Sequence, residues 1–242
     1  MEDVGHELKN FFPCEDLLLY GTATLNSGAI LLTNSTSAFS MGRALLPKPI
    51  PVTNAKHALP FSTSFVFSIT PDKNHLPGHG MAFVFVPAAG IQGAASAQHL
   101  GLTNHANDGN PKNHLFAVEF DVFQNSELND INYNHVGVDV NSVKSLVANE
   151  AGYWNGNGSF VKLKMNNGDK IRVWIEYVKG RLTVTMAPID VATRPRRPLI
   201  GVDVNLTEVF LDEMYVGFTA ATGNLVESHE IHSWSFTLPF GS

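Results

Sequence analysis

Bulky apolar residues at every second position of residues 115–123 predict a β-strand with two different faces. One face would consist of bulky apolar side chains, namely those of Phe116, Val118, Phe120 and Val122. Because successive side chains of a strand point to opposite sides, Glu119 and Asp121 share the other face. Two carboxylates roughly 7 Å apart along one strand repel each other, so they require a proton or a bound cation.

Similar patterns elsewhere predict a chain built almost entirely of strands. Further candidates are residues 61–69, 81–86, 135–140, 215–223 and 231–238. Residues 170–186 are typical of a β-hairpin that turns at Lys179 and Gly180. Only residues 205–210 look like a helical turn, and the chain has no βαβ alternation. We therefore expect an all-β fold, an antiparallel β-sandwich with its function in the loops at one edge.

Length, charge and hydropathy narrow the class of protein. The chain has 242 residues, 44% of them hydrophobic, and we expect one domain over residues 1–242. The net charge of −6 argues against nucleic acid or an anionic membrane as the partner. No apolar run approaches the roughly 20 residues of a membrane span. The only basic cluster, from Arg194 to Arg197, is interpreted as a solvated loop.

Cysteine usage and processing signals leave the cellular compartment open. The single cysteine, Cys14, excludes an internal disulfide. The N-terminal residues lack the apolar core of a signal peptide, so either the protein is cytosolic or a leader was removed. Sequons at Asn34, Asn157 and Asn205 permit N-glycosylation without demonstrating secretion.

The loop that follows residues 115–123 supplies more groups of the kind that bind cations. Asn125, Asp130 and His135 come next along the chain. Carboxylates with amide and carbonyl oxygens suit calcium, whereas a histidine added to shared carboxylates suits a transition metal such as manganese. We interpret this stretch as a metal site for one or two cations. The alternative is a polar sheet edge followed by a solvated turn.

Seven motifs in a fixed order make the sequence similar to the legume-type (L-type) lectins. They are GRALLPKPI (42–50), GHGMAFVFVP (78–87), LGLTN (100–104), GNPKNHLFAVEFDVFQN (109–125), HVGVDVNSV (135–143), VGFTAATG (216–223) and HSWSF (232–236). In particular, the chain resembles the extracellular lectin domains of plant lectin receptor-like kinases. The resemblance covers nearly the whole chain and implies the concanavalin A-like jelly roll, a position outside the cell or at its surface, and a homodimer as one possible assembly.

The resemblance also implies two metal ions and their ligands. Family members hold Mn²⁺ with a glutamate, an aspartate and a histidine, which correspond here to Glu119, Asp121 and His135. The same aspartate holds Ca²⁺ together with a backbone carbonyl, an asparagine and a further aspartate that also reaches Mn²⁺. The corresponding ligands here are the Phe123 carbonyl, Asn125 and Asp130. Ser145 matches a serine that orients a metal-bound water in the family.

The sugar site implied by the resemblance is incomplete in this chain. His79 stands where sugar-binding members have an aspartate, and an imidazole offers one acceptor where a carboxylate offers two oxygens. Ala97 or a neighbour replaces a glycine whose N–H meets the sugar. Phe123 and Asn125 are retained, and Asn224 and Leu225 belong to the final rim loop, residues 222–225. We expect weak or altered monosaccharide binding.

Three functions follow from this pattern. The first is recognition of a glycan or another small extracellular ligand, through a site retuned by His79. The second is a degenerate lectin domain that serves as a structural or protein-interaction ectodomain. The third is catalysis, because similar sandwiches with an E-x-D-x-E strand hydrolyse glucans. Phe123 stands where the second glutamate would be, and metal binding would occupy both remaining carboxylates, so we expect no enzyme.

Overall fold

The computed structural model describes residues 16–55, 57–72 and 78–238. Cys14, and with it the expectation about disulfides, lies outside the described residues. Every strand pairing in this part of the chain is antiparallel, as predicted, and the strands form two large sheets.

The first sheet contains eight strands, among them the two strands that carry ligands of the predicted metal site. From one edge to the other it consists of Leu18–Gly21 (β1), Met41–Leu45 (β4), Glu213–Ala221 (β18), Gly80–Val86 (β9), Phe116–Asp121 (β10), His135–Val140 (β11) and Val147–Glu150 (β12), and Ile50–Pro51 (β5) pairs with β18.

The second sheet contains seven strands and lies across the core from the first. In order they are Ile200–Asp203 (β17), Arg181–Pro188 (β16), Ile171–Val178 (β15), Phe61–Pro71 (β8), Glu227–Thr237 (β19), Ala29–Thr33 (β3) and Thr24–Asn26 (β2). Two small hairpins complete the strands: Thr53–Asn54 (β6) with His57–Ala58 (β7), and Gly152–Trp154 (β13) with Phe160–Lys162 (β14).

Short turns connect these strands. The predicted hairpin is confirmed: β15 and β16 are joined by Lys179 and Gly180, whose φ angles of 51° and 82° fit a tight turn with positive φ at both central positions. The predicted helical turn is confirmed as a 3₁₀ helix at Leu206–Glu208. Three further 3₁₀ helices were not predicted; they are Ala97–His99, Pro111–Asn113 and Ser126–Leu128. Among the described residues, no helix is long and apolar enough to cross a membrane.

Aromatic rings from both sheets interlock in the core. Phe61 of the second sheet lies 4.8 Å from Phe85 of the first, measured between ring centroids. Phe218 of the first sheet contacts both Phe65 and Trp234 of the second, at 4.9 and 5.0 Å. Such pairs contribute roughly 0.5–1.5 kcal/mol each beyond the burial of their surface, so the sandwich is a rigid support for the loops at its edge.

The outer face of the first sheet is covered by loops rather than left open. A second, smaller group of buried residues lies there, including Val84 and Ala117. The buried guanidinium of Arg43 donates hydrogen bonds to the carbonyls of Gly90 and Gly101. Arg43 thereby fastens both ends of the loop that carries Ala97.

Candidate metal centre and ligand-binding rim

The two carboxylates that the strand pattern placed together are buried in the middle of the first sheet. Strand β10 lies between β9 and β11, with Glu119 opposite Gly137 and Asp121 opposite His135. Glu119 is 2% exposed and Asp121 is 3% exposed. The predicted alternation is confirmed. The alternative of a polar sheet edge is wrong, because a strand lies on each side of β10, although the turn that follows is partly exposed.

Three side chains of the predicted metal site converge beside β10. One ligand atom each of Asp121, Asp130 and His135 lies within 4.8 Å of the others. The Nε2 atom of His135 is 3.5 Å from Glu119 Oε1 and 3.9 Å from Asp130 Oδ1. Nδ1 of the same ring lies 2.9 Å from the carbonyl oxygen of Asn132. Because a carbonyl can only accept, Nδ1 donates this hydrogen bond, and Nε2 is the ring nitrogen that faces the carboxylates.

The loop after β10 is folded around the same carboxylates by backbone hydrogen bonds. The amide of Phe123 donates to Asp121 Oδ1 at 2.6 Å, and the amide of Asn125 donates to Asp130 Oδ2 at 2.6 Å. The side-chain nitrogen of Asn125 donates to Glu127 at 3.0 Å. Its Oδ1 atom is buried and has no hydrogen-bond partner among the described residues. A buried polar atom without a partner destabilises the folded state.

The electrostatics of the cluster are those of a cation site. Burial, followed by the charge of Glu119, raises the pKa of Asp121 well above its usual value. Burial also raises the pKa of Asp130. Burial opposes the charged form of His135, but the neighbouring carboxylates of Glu119 and Asp130 prevail and raise the pKa of this histidine. Crowded carboxylates of this kind favour a proton or a metal cation.

Ser145 joins Glu119 to an acid that the sequence analysis missed. Its Oγ lies 2.6 Å from Glu119 Oε1 and 2.7 Å from Asp139 Oδ1. Burial and the charge of Glu119 raise the pKa of Asp139 well above its usual value. Because a hydroxyl has one proton to donate, a protonated Asp139 that donates to Ser145 satisfies both contacts. A Cβ on Gly137 would lie 1.9 Å from Ser145 Oγ, so only glycine permits this approach.

The position of Asp139 could have been derived from the sequence. Strand β11 has the same alternation as β10. Asp139 comes four residues after His135, so the two side chains lie on the same face of the strand. The register places Asp139 opposite Ala117 and next to the Glu119 pair. The sequence prediction for residues 135–140 covers only a strand and its first residue, the candidate ligand His135.

His79 lies at the base of the predicted rim rather than on its surface. It is 7% exposed, with a φ angle of 64°, and its ring centroid is 4.7 Å from that of Phe123. Burial lowers the pKa of His79 to about 4, an effect that the neighbouring Asn125 side chain opposes and the charge of His229 assists. The ring is therefore neutral at pH 7. A Cβ on Gly223 would lie 2.5 Å from His79 Nε2, so the last rim loop rests on the imidazole.

The other predicted rim residues differ in how closely they approach His79. Ala97 is close, because a Cβ on Gly223 would lie 3.6 Å from its methyl group. However, the amide of Ala97 donates to the carbonyl of Thr222 at 3.1 Å, so the expectation that it meets a sugar is not supported. Leu225 is half-buried and packs against the loop before His79, whereas Asn224 is exposed.

The remaining sequence candidates lie away from this site. Asn157 and Asn205 are exposed, and Asn34 is half-buried with its Oδ1 accepting from Thr36. The basic segment is a loop in which Arg196 and Arg197 are exposed, as predicted, but Arg194 forms a bidentate pair with Glu176 at 2.6 and 2.8 Å.

The chain belongs to the legume lectin domain family, whose sequence model matches residues 6–241. It is 52% identical over 224 residues to the L-type lectin-domain containing receptor kinase VII.1 of Arabidopsis thaliana, covering 90% of this chain and 32% of the relative. It is 46% identical over 220 residues to an Arabidopsis lectin-like protein, covering 87% of this chain and 80% of the relative. The chain thus spans about a third of the length of the receptor kinase.

Solved lectins share the fold along almost the whole chain. Lectin II from Ulex europaeus aligns with a TM-score of 0.78 and 29% identity, covering 98% of this chain and 99% of that chain. Winged bean acidic lectin complexed with methyl-α-D-galactose aligns with a TM-score of 0.77 and 31% identity, covering 94% of each. Legume lectins generally bind metals, and a lectin domain is not an enzyme; this membership confirms the predicted class and the non-catalytic function.

Proposed function

We propose that residues 1–242 form one lectin domain that recognises a ligand outside the cell, as the ectodomain of a plant receptor-like kinase. The proposal rests on the family membership and on the similarity to receptor kinases of Arabidopsis thaliana. The ligand is a glycan or another small extracellular molecule, bound at the rim around His79.

Two metal ions, Ca²⁺ and Mn²⁺, would support this rim. Mn²⁺ would be held by Glu119, Asp121, Asp130 and His135, and Ca²⁺ by Asp121, the Phe123 carbonyl, Asn125 and Asp130. The observation that carries the proposal is a pair of orphaned atoms: His135 Nε2 and Asn125 Oδ1 are both buried without a hydrogen-bond partner in the described part of the chain. One is a nitrogen ligand suited to Mn²⁺ and the other an oxygen ligand suited to Ca²⁺.

Monosaccharide binding at the rim should be weak for two reasons. The neutral ring of His79 offers a single acceptor and cannot form the charge-assisted hydrogen bonds of a carboxylate. The amide of Ala97, which could have donated to a sugar, is bonded to Thr222. Phe123 still offers part of an aromatic ring next to His79, so an aromatic or anionic ligand that an aspartate would repel remains compatible with the site.

A second candidate function is a structural or protein-interaction ectodomain with an idle rim. It is favoured by the burial of His79, which leaves 7% of the residue accessible to a ligand. The two functions differ in whether any small ligand depends on the rim and the metals.

A glycan and small-molecule array separates these functions. The protein would be probed with Ca²⁺ and Mn²⁺, after chelation, and as the variant Phe123→Ala. We expect elemental analysis to find both metals, and we expect array signals that disappear on chelation and in the variant. Metals without any rim-dependent signal would support the idle rim. A protein that takes up neither metal at a stoichiometric level would contradict the proposal.

A further inference from the structure

A groove lined by arginines and aromatic rings lies at the hairpin of β13 and β14, and it shares no residue with the rim around His79. It has a volume of about 800 Å³, and its walls include Tyr153, Trp154, Asn155, Arg194, Arg196 and Arg197. The volume is within the range of ligand pockets, about 300–1,000 Å³. None of the residues that line it is acidic, although the net charge of the chain is −6.

The arginine-bearing wall is held in place at two points. Arg194 pairs with Glu176 on β15 through two hydrogen bonds of 2.6 and 2.8 Å. The guanidinium carbon of Arg197 lies 3.5 Å from the centre of the Trp154 ring, a separation that leaves room only for a guanidinium lying flat on the indole. Pro195 and Pro198 restrict the backbone between and after these points. A wall fixed in this way loses little conformational entropy when a ligand binds.

Two positive charges on this wall remain available. Arg196 and Arg197 are exposed and form no ion pair among the described residues. Stacking on Trp154 leaves the N–H groups at the edge of the Arg197 guanidinium free to donate. A guanidinium edge matches a carboxylate through two parallel hydrogen bonds.

We propose that this groove is a second ligand site, and that it binds acidic oligosaccharides through their carboxylates. The ring of Tyr153 provides apolar surface for the C–H face of a sugar unit, and the side-chain N–H group of Asn155 is placed to donate to a hydroxyl group. Phosphate sites typically use helix N-termini or nests of backbone N–H groups, and neither wall segment contains a helix. Carboxylates spaced along a saccharide chain suit the separate charges of Arg196 and Arg197.

The test is calorimetric titration with tetragalacturonate at low salt. The protein is produced without N-glycans, because the sequon residue Asn157 is next to Gly158, which lines the groove. Excess calcium is removed, because galacturonate carboxylates bind it. We expect saturable binding that weakens at high salt and is lost with the methyl-esterified tetramer, which has the same backbone without charge.

Substitutions then locate the site. Arg196→Gln and Arg197→Gln should each weaken binding about tenfold, the typical loss of a charge-assisted hydrogen bond. Arg197→Lys should give an intermediate loss, because it keeps the charge without the planar fork. Arg181→Gln is the matched control, an exposed arginine paired with Asp203 outside the groove. Arg196 has no ion-pair or hydrogen-bond partner within the described part of the chain, so its variant should retain the melting temperature of the wild type.

Four results would overturn the proposal. They are no saturable binding by the unglycosylated wild type, equal binding of the methyl ester, an equal loss in Arg181→Gln, and inorganic tripolyphosphate binding as tightly as tetragalacturonate. The last would identify a general anion patch instead of a saccharide site. None of these results depends on the rim around His79, so the outcome is independent of the function proposed above.

Discussion

The imidazole of His79 lies against the phenyl ring of Phe123, with 4.7 Å between the ring centroids. The amide of Phe123 is in turn bonded to Asp121 at 2.6 Å, and the amide of Val122 donates to the carbonyl of His79 at 2.7 Å. The loop after β10 therefore contributes to both the rim and the proposed metal centre. A change in the metal centre should be transmitted to the rim through these contacts.

The first prediction is that chelation lowers the melting temperature. A cation that binds only the folded state stabilises it by mass action, and losing it at saturating concentration should cost about 5–10 °C for a protein of this size. Asp121→Asn should remove most of the effect of chelation. Differential scanning calorimetry before and after dialysis against chelator measures both.

Asp190→Asn is the matched control for this experiment. Asp190 is exposed and distant in sequence from the cluster, so its variant should respond to chelation like the wild type. Identical melting curves with and without chelator, for a protein shown to be saturated with metal beforehand, would contradict the prediction.

The second prediction concerns pH and follows from the raised pKa values of Asp121, Asp130 and His135. Each group must lose its proton to bind a metal. As pH falls through these raised pKa values, protons compete with the metal and its stabilising effect is lost. In the metal-free protein the pH dependence of stability has the opposite sign for the two carboxyl groups. Their pKa values are raised in the folded state, so their contribution to stability falls as pH rises above about 3.8.

The measurement is the difference in melting temperature between metal-saturated and chelated protein, taken at a series of pH values from neutral to acidic. We expect the difference to shrink steadily from neutral to acidic pH. Titrating groups elsewhere affect both samples equally and cancel. If the difference in melting temperature stays constant down to a pH near the pKa of ordinary carboxyl groups, the metal is held by other residues.

Some of this site was predictable because it depends on local alternation. Glu119 and Asp121 share one face because side chains of a strand alternate between its two sides. Their burial follows from the apolar residues before and after them in the same strand. The burial of His79 did not follow, since it depends on Gly223, which is 144 positions later in the chain and is brought there by β18. The bond between Ala97 and Thr222 is equally non-local.

The organisation of residues 194–198 was also beyond local reasoning. The four residues from Arg194 to Arg197, which are all arginine or proline, look like a solvated loop when they are read alone. The carboxylate that pairs with Arg194 and the indole that stacks under Arg197 come from β15 and β13, which are separate elements of the fold. Charge patterns along the chain do not reveal such partners.

The third prediction tests the protonation of Asp139. If its carboxyl group donates to Ser145, then Asp139→Asn, which replaces that donor by an N–H, should change the free energy of unfolding by less than about 1 kcal/mol. Asp139→Ala should cost about 1–3 kcal/mol, because it leaves Ser145 and Glu119 in a buried site without the donor. Chemical denaturation measures both.

Glu119→Gln is the comparison for metal binding. It has the same shape change as Asp139→Asn, from carboxylate to amide, but at a residue whose negative charge faces His135. We expect Glu119→Gln to reduce the manganese content and Asp139→Asn to retain it. Equal loss of metal in both variants would show that Asp139 is ionised in the native protein.

The final prediction concerns His79→Asp. The wild type should bind methyl-mannoside no more tightly than about millimolar, or about −4 kcal/mol, since a neutral imidazole with a pKa of about 4 offers one acceptor. An aspartate is smaller than the imidazole that Gly223 covers, and its two oxygens can accept charge-assisted hydrogen bonds. We expect His79→Asp to bind at least about tenfold more tightly in the presence of both metals. His79→Asn introduces a side chain of the same shape as aspartate but without its charge, so this variant should gain little affinity. Isothermal titration of the three proteins decides between them: micromolar binding by the wild type, or an equal gain in His79→Asn, would show that the carboxylate is not the missing element.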